Sequence, residues 1–277
     1  MLATVQQLLG HPAVQSSIVP LFSAFAIGGI FLRARFSGLC IACGFLATVY
    51  LVGNFALEPL TATRKLVVVG VSATILGAIL DLAFRSTRSV RIGLATIFGA
   101  ASIWVFWRVL AQQAAGASLL AGSGTAVLMM WLVGISLPLQ DDPVRAGAVG
   151  VGLGLGAGAA AILGASALLG QYGLALGAAC GGFLLMVMFF GRRVAAGATA
   201  VLTVAVVGGL LAGAAVLLAD LPWWAAAVLA LVPLAVRLPL PMRSATWIQI
   251  AFACAYALIV AAAACGLAYW ASRGQVG

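Results

Sequence analysis

Very few side chains in this chain can take part in acid–base or electrostatic chemistry. It carries five carboxylates (Glu58, Asp81, Asp141, Asp142 and Asp220), one histidine (His11) and one lysine (Lys65). Ionisable groups within membrane-spanning segments are costly and are candidate functional residues for that reason. Asp81 is the first such candidate, as a proton-coupling or substrate-contacting carboxylate. Arg85 follows it by four residues on the same helical face, so the simpler expectation is an ion pair at the membrane interface. Arg108 is the second. It follows Trp104, Phe106 and Trp107, and beside those rings it could hold an anionic group by charge and cation–π contact. Snorkelling of the guanidinium to the headgroups is the commoner use of such a residue.

The rest of the inventory excludes several chemistries. A single histidine cannot supply two axial haem ligands, an HExxH zinc site or the base of an intramembrane serine hydrolase. The one lysine lies at a helix end rather than in mid-span, which disfavours a retinal Schiff base. Cys40 and Cys43 have metal-motif spacing but no second pair, and Cys180, Cys254 and Cys265 fall singly in apolar runs, so all five read as small hydrophobes. Glu58, Asp141 and Asp142 read as solvated loop residues. Glycine alternation at 147–158 lacks the preceding strand and following acid of a dinucleotide site. The expectation is therefore no enzyme, no cofactor, no metal and no catalytic residue.

The elements that position these residues are set by composition. Hydrophobic residues make up 65% of the 277 positions and charged ones 7%, against about 25% charged in a soluble domain. Apolar runs near the roughly 20 residues that span a bilayer recur along the whole length. The fold class expected is all-α, a polytopic transmembrane bundle of about ten helices in a single domain, 1–277. The candidate spans are 13–32, 38–53, 66–84, 92–111, 118–139, 146–169, 173–190, 194–218, 221–240 and 246–270. The short second span and the ninth, with Pro222, Pro233 and Pro239, carry the uncertainty in the count. Gly170–Gly173 reads as the turn between the sixth and seventh, and Asp220 as a cap for the ninth.

The charge of +9 comes from 14 basic residues scattered between apolar runs, which signals topology rather than nucleic acid binding. Ten of them (Arg33, Arg35, Arg85, Arg88, Arg91, Arg145, Arg192, Arg193, Arg237 and Arg243) fall on one side. Arg64, Lys65, Arg108 and Arg273 fall on the other. The positive-inside rule then places both termini outside. One Lys against 13 Arg, with abundant Ala and Gly, suggests a GC-rich bacterial genome and hence the inner membrane.

Ten spans divide at Asp141-Asp142-Pro143 into candidate halves 13–139 and 146–270, and five helices per half force opposite orientations, as in inverted repeats. No sequence echo accompanies the division: Leu137-Pro138-Leu139 recurs as Leu238-Pro239-Leu240, but at the ends of non-equivalent helices. The sixth span, with seven glycines from Gly147 to Gly164, is either a thin buried helix or a pliable one.

The leading functional expectation is a permease-like transporter of a small neutral or lipophilic solute. The alternative is a non-catalytic accessory or assembly subunit of a larger membrane complex. Expected partners are membrane lipids, a small-molecule substrate, and a second copy or complex subunit.

Overall fold

A computed structural model describes residues 11–30, 37–53, 58, 60–83, 87–191, 194–241 and 244–274. These form ten helical segments and no strand: α1 Val14–Ile30, α2 Leu39–Gly53, α3 Ala62–Ala83, α4 Arg88–Leu110, α5 Ala115–Leu139, α6 Pro143–Leu163, α7 Ala167–Phe190, α8 Gly197–Leu218, α9 Trp223–Ala235 and α10 Thr246–Gly274. Seven of them, α3 to α8 and α10, are long and apolar enough to cross a membrane. The chain is a multi-pass helical membrane protein. Helices are the form such a sequence must take, because every backbone N–H and C=O in hydrocarbon has to be paired within the segment.

Residue size, more than polarity, decides which helix faces turn inward, since lipid and protein interior are equally apolar. On α10 the buried positions are Ala253, Ala257, Ala261, Ala264 and Ala268, a helical stripe of small side chains, while Phe252, Ile259 and Trp270 face outward. That stripe packs on α6, where Cβ atoms added to Gly152 or Gly156 would come within 3.0 Å of Ala257 or Ala261. The opposite side of α6 meets α7 backbone to backbone: a Cβ on Gly154 would lie 2.4 Å from Gly177 N, and one on Gly173 would lie 2.4 Å from Gly158 Cα. The glycines of α6 are thus at points of closest approach on two sides of a helix that is 78% buried.

This packing corrects the expected turn. Gly170–Gly173 lies inside α7, where its glycines make room for α6, and the chain reverses at Gly164–Ser166 instead. Ser166 N–H donates to Ala161 O (2.9 Å) and Ala165 N–H to Ile162 O (3.0 Å), the paired bonds of a Schellman cap. Its left-handed position is held by Ala165, φ 63°, rather than by glycine. Gly164 is needed one residue earlier, because a Cβ there would sit 2.0 Å from Ala219 O at the end of α8.

At the centre stands α8, 89% buried against 22% for α10, with α3, α5 and α6 as its main neighbours. Around it α1 and α2 pack on α7, α4 on α5, and α9 on α10. The ninth segment is not one continuous span. It breaks into Trp223–Leu229 and Val232–Ala235, because Pro233 has no N–H for the Leu229 carbonyl. The expected Asp220 cap on it is also absent: Pro222 precedes the first turn without a side-chain cap, and Asp220 adopts φ 49° just beyond α8.

The αL strain at Ala165 gives a stability prediction. Ala165→Gly should raise stability by about 1 kcal/mol, whereas Gly164→Ala, one residue away, should lower it. Thermal unfolding in detergent reads both, and equal effects of the two substitutions would contradict the division of roles between them.

Candidate functional site

A helix leaves its first N–H groups without intrahelical partners, and α8 begins with no capping side chain of its own, since its N-cap residue is Ala196. Partners come from other parts of the chain. Gly197 N–H donates to Gln140 O (3.0 Å) in the α5–α6 connection. Ala198 N–H donates to Asp81 Oδ1 (2.6 Å), Thr199 N–H to Asp81 Oδ2 (2.9 Å), and the Thr199 hydroxyl to the same Oδ2 (2.5 Å). Asp81, near the end of α3, is therefore the N-cap of α8 supplied from another helix. Its negative charge lies at the positive end of the α8 dipole, which gives a half-buried carboxylate at the edge of the membrane a favourable setting without a cation.

Close approach is what brings the two helices into register. Gly197 has φ 67°, and a Cβ on it would lie 2.4 Å from Asp81 Oδ2. A Cβ on Gly77 would lie 2.6 Å from Thr199 Cα, and one on Gly70 would lie 2.8 Å from Val207. Between these contacts Thr74 Oγ1 and Thr203 Oγ1 stand 2.9 Å apart. Positions 70, 74, 77 and 81 thus form one stripe of α3 that follows 207, 203 and 199 down antiparallel α8. Each hydroxyl also reaches a carbonyl of its own helix, Thr74 to Gly70 O and Thr203 to Thr199 O. Two protons serve three contacts, so one hydroxyl donates across the seam while the other donates to its own helix.

The α8 start is held from a third direction. Ser37, just before α2, donates its hydroxyl to Ala195 O, and a Cβ on Gly38 would meet Ala196 O at 2.5 Å.

Beside this junction a cavity of about 870 Å³ opens at the end of the bundle. Its walls combine Asp81 of α3, Gln140, Asp141, Asp142 and Arg145 of the α5–α6 connection, Gly197 at the start of α8, and Ser244, Thr246 and Gln249 around the start of α10. Asp142 is itself occupied. Its Oδ1 caps Arg145 N–H of α6 at 3.2 Å, and its Oδ2 lies 3.2 Å from Arg145 Nε. Asp141 is exposed. Gln249 donates from its side chain to Ser244 O (3.1 Å), folding the connection back over the first turn of α10. The cavity thus gathers several hydrogen-bonding groups at one end of the bundle.

The two candidate residues are not brought together. Arg108 lies at the far end of α4 with its side chain exposed, the disposition of a snorkelling arginine, and it does not line the cavity. Arg85, the expected ion-pair partner of Asp81, lies outside the described residues, as do Arg33, Arg35, Arg192, Arg193 and Arg243. Two further polar anchors lie elsewhere. Lys65, 9% exposed, donates to Trp104 O (3.1 Å) and stands 4.7 Å over the Trp104 ring. Trp131, too deep for an interfacial aromatic, donates to Ala230 O at the break in α9 (3.0 Å). All five cysteines are free, with Cys40 and Cys180 buried. Among the described residues no group of three or more His, Cys, Asp or Glu is arranged to hold a metal.

Replacing Asp81 by Ala should cost about 2 kcal/mol, the usual loss when partly buried donors are stripped of a charged acceptor. Gly197→Ala should cost a similar amount through its φ and its approach to the carboxylate. Because Gly197→Ala acts partly by displacing Asp81, the double variant should be less destabilised than the sum of the singles, by about 1 kcal/mol. Strict additivity in thermal unfolding would refute the contact.

No family model matches the chain, and no match to a curated protein or to a solved structure was found.

Proposed function

We propose that the chain is a permease-like transporter of the bacterial inner membrane that carries a small, neutral, hydrogen-bonding solute. The observation behind this reading is the cavity at one end of the bundle. Its volume of about 870 Å³ suits a small organic molecule, and its walls come from helices on both sides of the Asp141-Asp142-Pro143 connection. The polar groups of those walls, Gln140, Ser244, Thr246 and Gln249, favour the hydrogen-bonding over the lipophilic end of the expected solute range. Asp81 serves here as the residue that fixes the inner start of α8, and so the shape of the cavity floor. Arg108 serves in membrane anchoring.

In this reading all ten segments traverse the bilayer, both termini are outside, and the cavity faces the cytoplasm. The α9 break is compatible with traversal because broken helices are tolerated where protein surrounds them. An inverted relation between the halves has partial support from the packing. Under a five-plus-five pairing α3 corresponds to α8 and α2 to α7, and each of these pairs is in contact, as an axis between them requires. Other major contacts have no comparable counterpart among the described residues: α6–α10 none at α1–α5, α1–α7 none at α2–α6, and α5–α8 none at α3–α10.

A second reading, an accessory subunit of a membrane complex, draws on α10, whose span is 22% buried. Such a face accommodates a partner helix as readily as lipid. A stoichiometric partner in mild-detergent purification would favour it over transport.

Transport makes a direct prediction. Thr246→Trp fills the cavity from the first turn of α10 without touching the α3–α8 seam, and should abolish cellular uptake or export of the solute identified by comparing deletion and wild-type cells. Thermal stability should stay close to wild type. Flux unchanged by a stable Thr246→Trp protein would remove the cavity from the pathway.

A further inference from the structure

The break in α9 has a specific set of restraints around it. Ala230 and Leu231 separate the two short helices, and Pro233 removes the N–H that would bridge them through the Leu229 carbonyl. The carbonyl of Ala230 accepts a hydrogen bond from outside the segment, donated by Trp131 Nε1 of α5 (3.0 Å). Seven residues further on, Arg237 returns the contact, donating Nη2 to Ile135 O in the last turn of α5 (2.6 Å). A cation at that position also complements the negative end of the α5 dipole. Two cross-helix hydrogen bonds, one from each partner, therefore tie the stretch from the break to Arg237 onto α5.

This stretch has two different sides. At its far end Leu240 lines the polar cavity, and Ser244 follows a few residues later. Across the break, along the first short helix, Ala226, Ala227 and Ala230 join Trp131 and Trp223 around a separate apolar groove of about 330 Å³. Val232 and Val236 are fully buried, and Val232 rests over Gly152, where a Cβ would lie 2.8 Å from its Cγ1. Backbone hydrogen bonding is interrupted at the break, and beyond it the stretch is held by side-chain donors: Trp131 and Arg237 along α5, and Tyr256 of α10, whose hydroxyl donates to Pro239 O (3.4 Å).

We propose that Val232–Leu240 is a hinged wall of the cavity, turning about Ala230–Leu231 and held in its present position by Trp131 and Arg237. Outward rotation of this wall from α5 opens the polar cavity sideways between α5 and α10, towards the bilayer on the basic side of the protein. The proposal rests on the transport reading for its purpose, but its mechanics are independent of any solute.

Hydrogen–deuterium exchange of the full chain in nanodiscs tests it. In the wild type, amides from Leu231 to Leu240 should exchange faster than those of Trp223–Leu229 and of α5, because they are released by hinge opening alone. Trp131→Phe keeps an aromatic ring at the site but removes the donor, and should raise exchange in this stretch by about five- to tenfold. Arg237→Met should do the same. Trp107→Phe, at an exposed indole on α4, should leave the stretch unchanged. Exchange that is unaltered by both Trp131→Phe and Arg237→Met, or that rises evenly over the whole bundle, would overturn the hinge. A selective increase in a protein that moves no solute would uphold the hinge while rejecting transport.

Discussion

The first N–H groups of a helix have no partners within it, and in this protein those of Ala198 and Thr199, both buried, place that constraint on α8. Its N-terminal residues offer no hydroxyl or carboxylate before Thr199, so acceptors must arrive from elsewhere. Asp81 and the Gln140 carbonyl supply them. Because a carboxylate takes two backbone N–H groups only at short range and in one orientation, α3 is pinned to α8 at that end, and the α5–α6 connection is drawn to the same point. The cavity is the space left where these elements converge without filling the end of the bundle.

Side-chain volume governs the remainder. Gly70 and Gly77 bring α3 onto α8, Gly154, Gly158 and Gly173 bring α6 onto α7, and the alanine stripe of α10 closes the far side. Dispersion between closely approached backbones replaces the hydrophobic effect as the source of cohesion, since there is no water to leave. One consequence is directional: glycine on α6 lets its neighbours come close but gives them little to interlock with. The continuous helices α7 and α10 pack over their whole length, whereas the broken ninth segment is held by side-chain donors of different chemistry, the Trp131 indole, the Arg237 guanidinium and the Tyr256 hydroxyl.

The helical class and the approximate places of all ten segments are readable in the sequence because each is an apolar run bounded by charge, proline or glycine, seven of them of bilayer length. The turn at Gly164–Ser166 is not, because glycine marks both reversals and close packing, and Gly170–Gly173 imitates the first while performing the second. Pro233 pointed to the weakness of the ninth segment but not to the outside donor at Ala230. The role of Asp81 escaped for a different reason. Arg85 is four residues away in the chain, whereas Ala198 and Thr199 are more than a hundred, and a local reading pairs neighbours. A signal was nevertheless present: α8 begins in an alanine-rich stretch without a capping side chain, and such a helix in lipid requires an acceptor from another element. Arg108 is exposed at the end of α4, as expected from the sequence for a residue near a helix end. Gln140, Ser244, Thr246 and Gln249 come together only because the α5–α6 connection meets the start of α10, which no spacing rule reveals.

The central claim of the proposed function is that the polar cavity at the basic end of the bundle is open to water, on the side that the proposed orientation turns to the cytoplasm. Single cysteines at Gln140, Thr246 and Gln249, introduced into a chain whose five native cysteines are replaced by alanine, measure this directly through labelling with a membrane-impermeant maleimide in oriented vesicles. The account predicts modification of all three positions from the cytoplasmic face alone, with a control cysteine at lipid-facing Ile259 unmodified from either side. Failure of these positions to react, or reaction only from the opposite face, would contradict it.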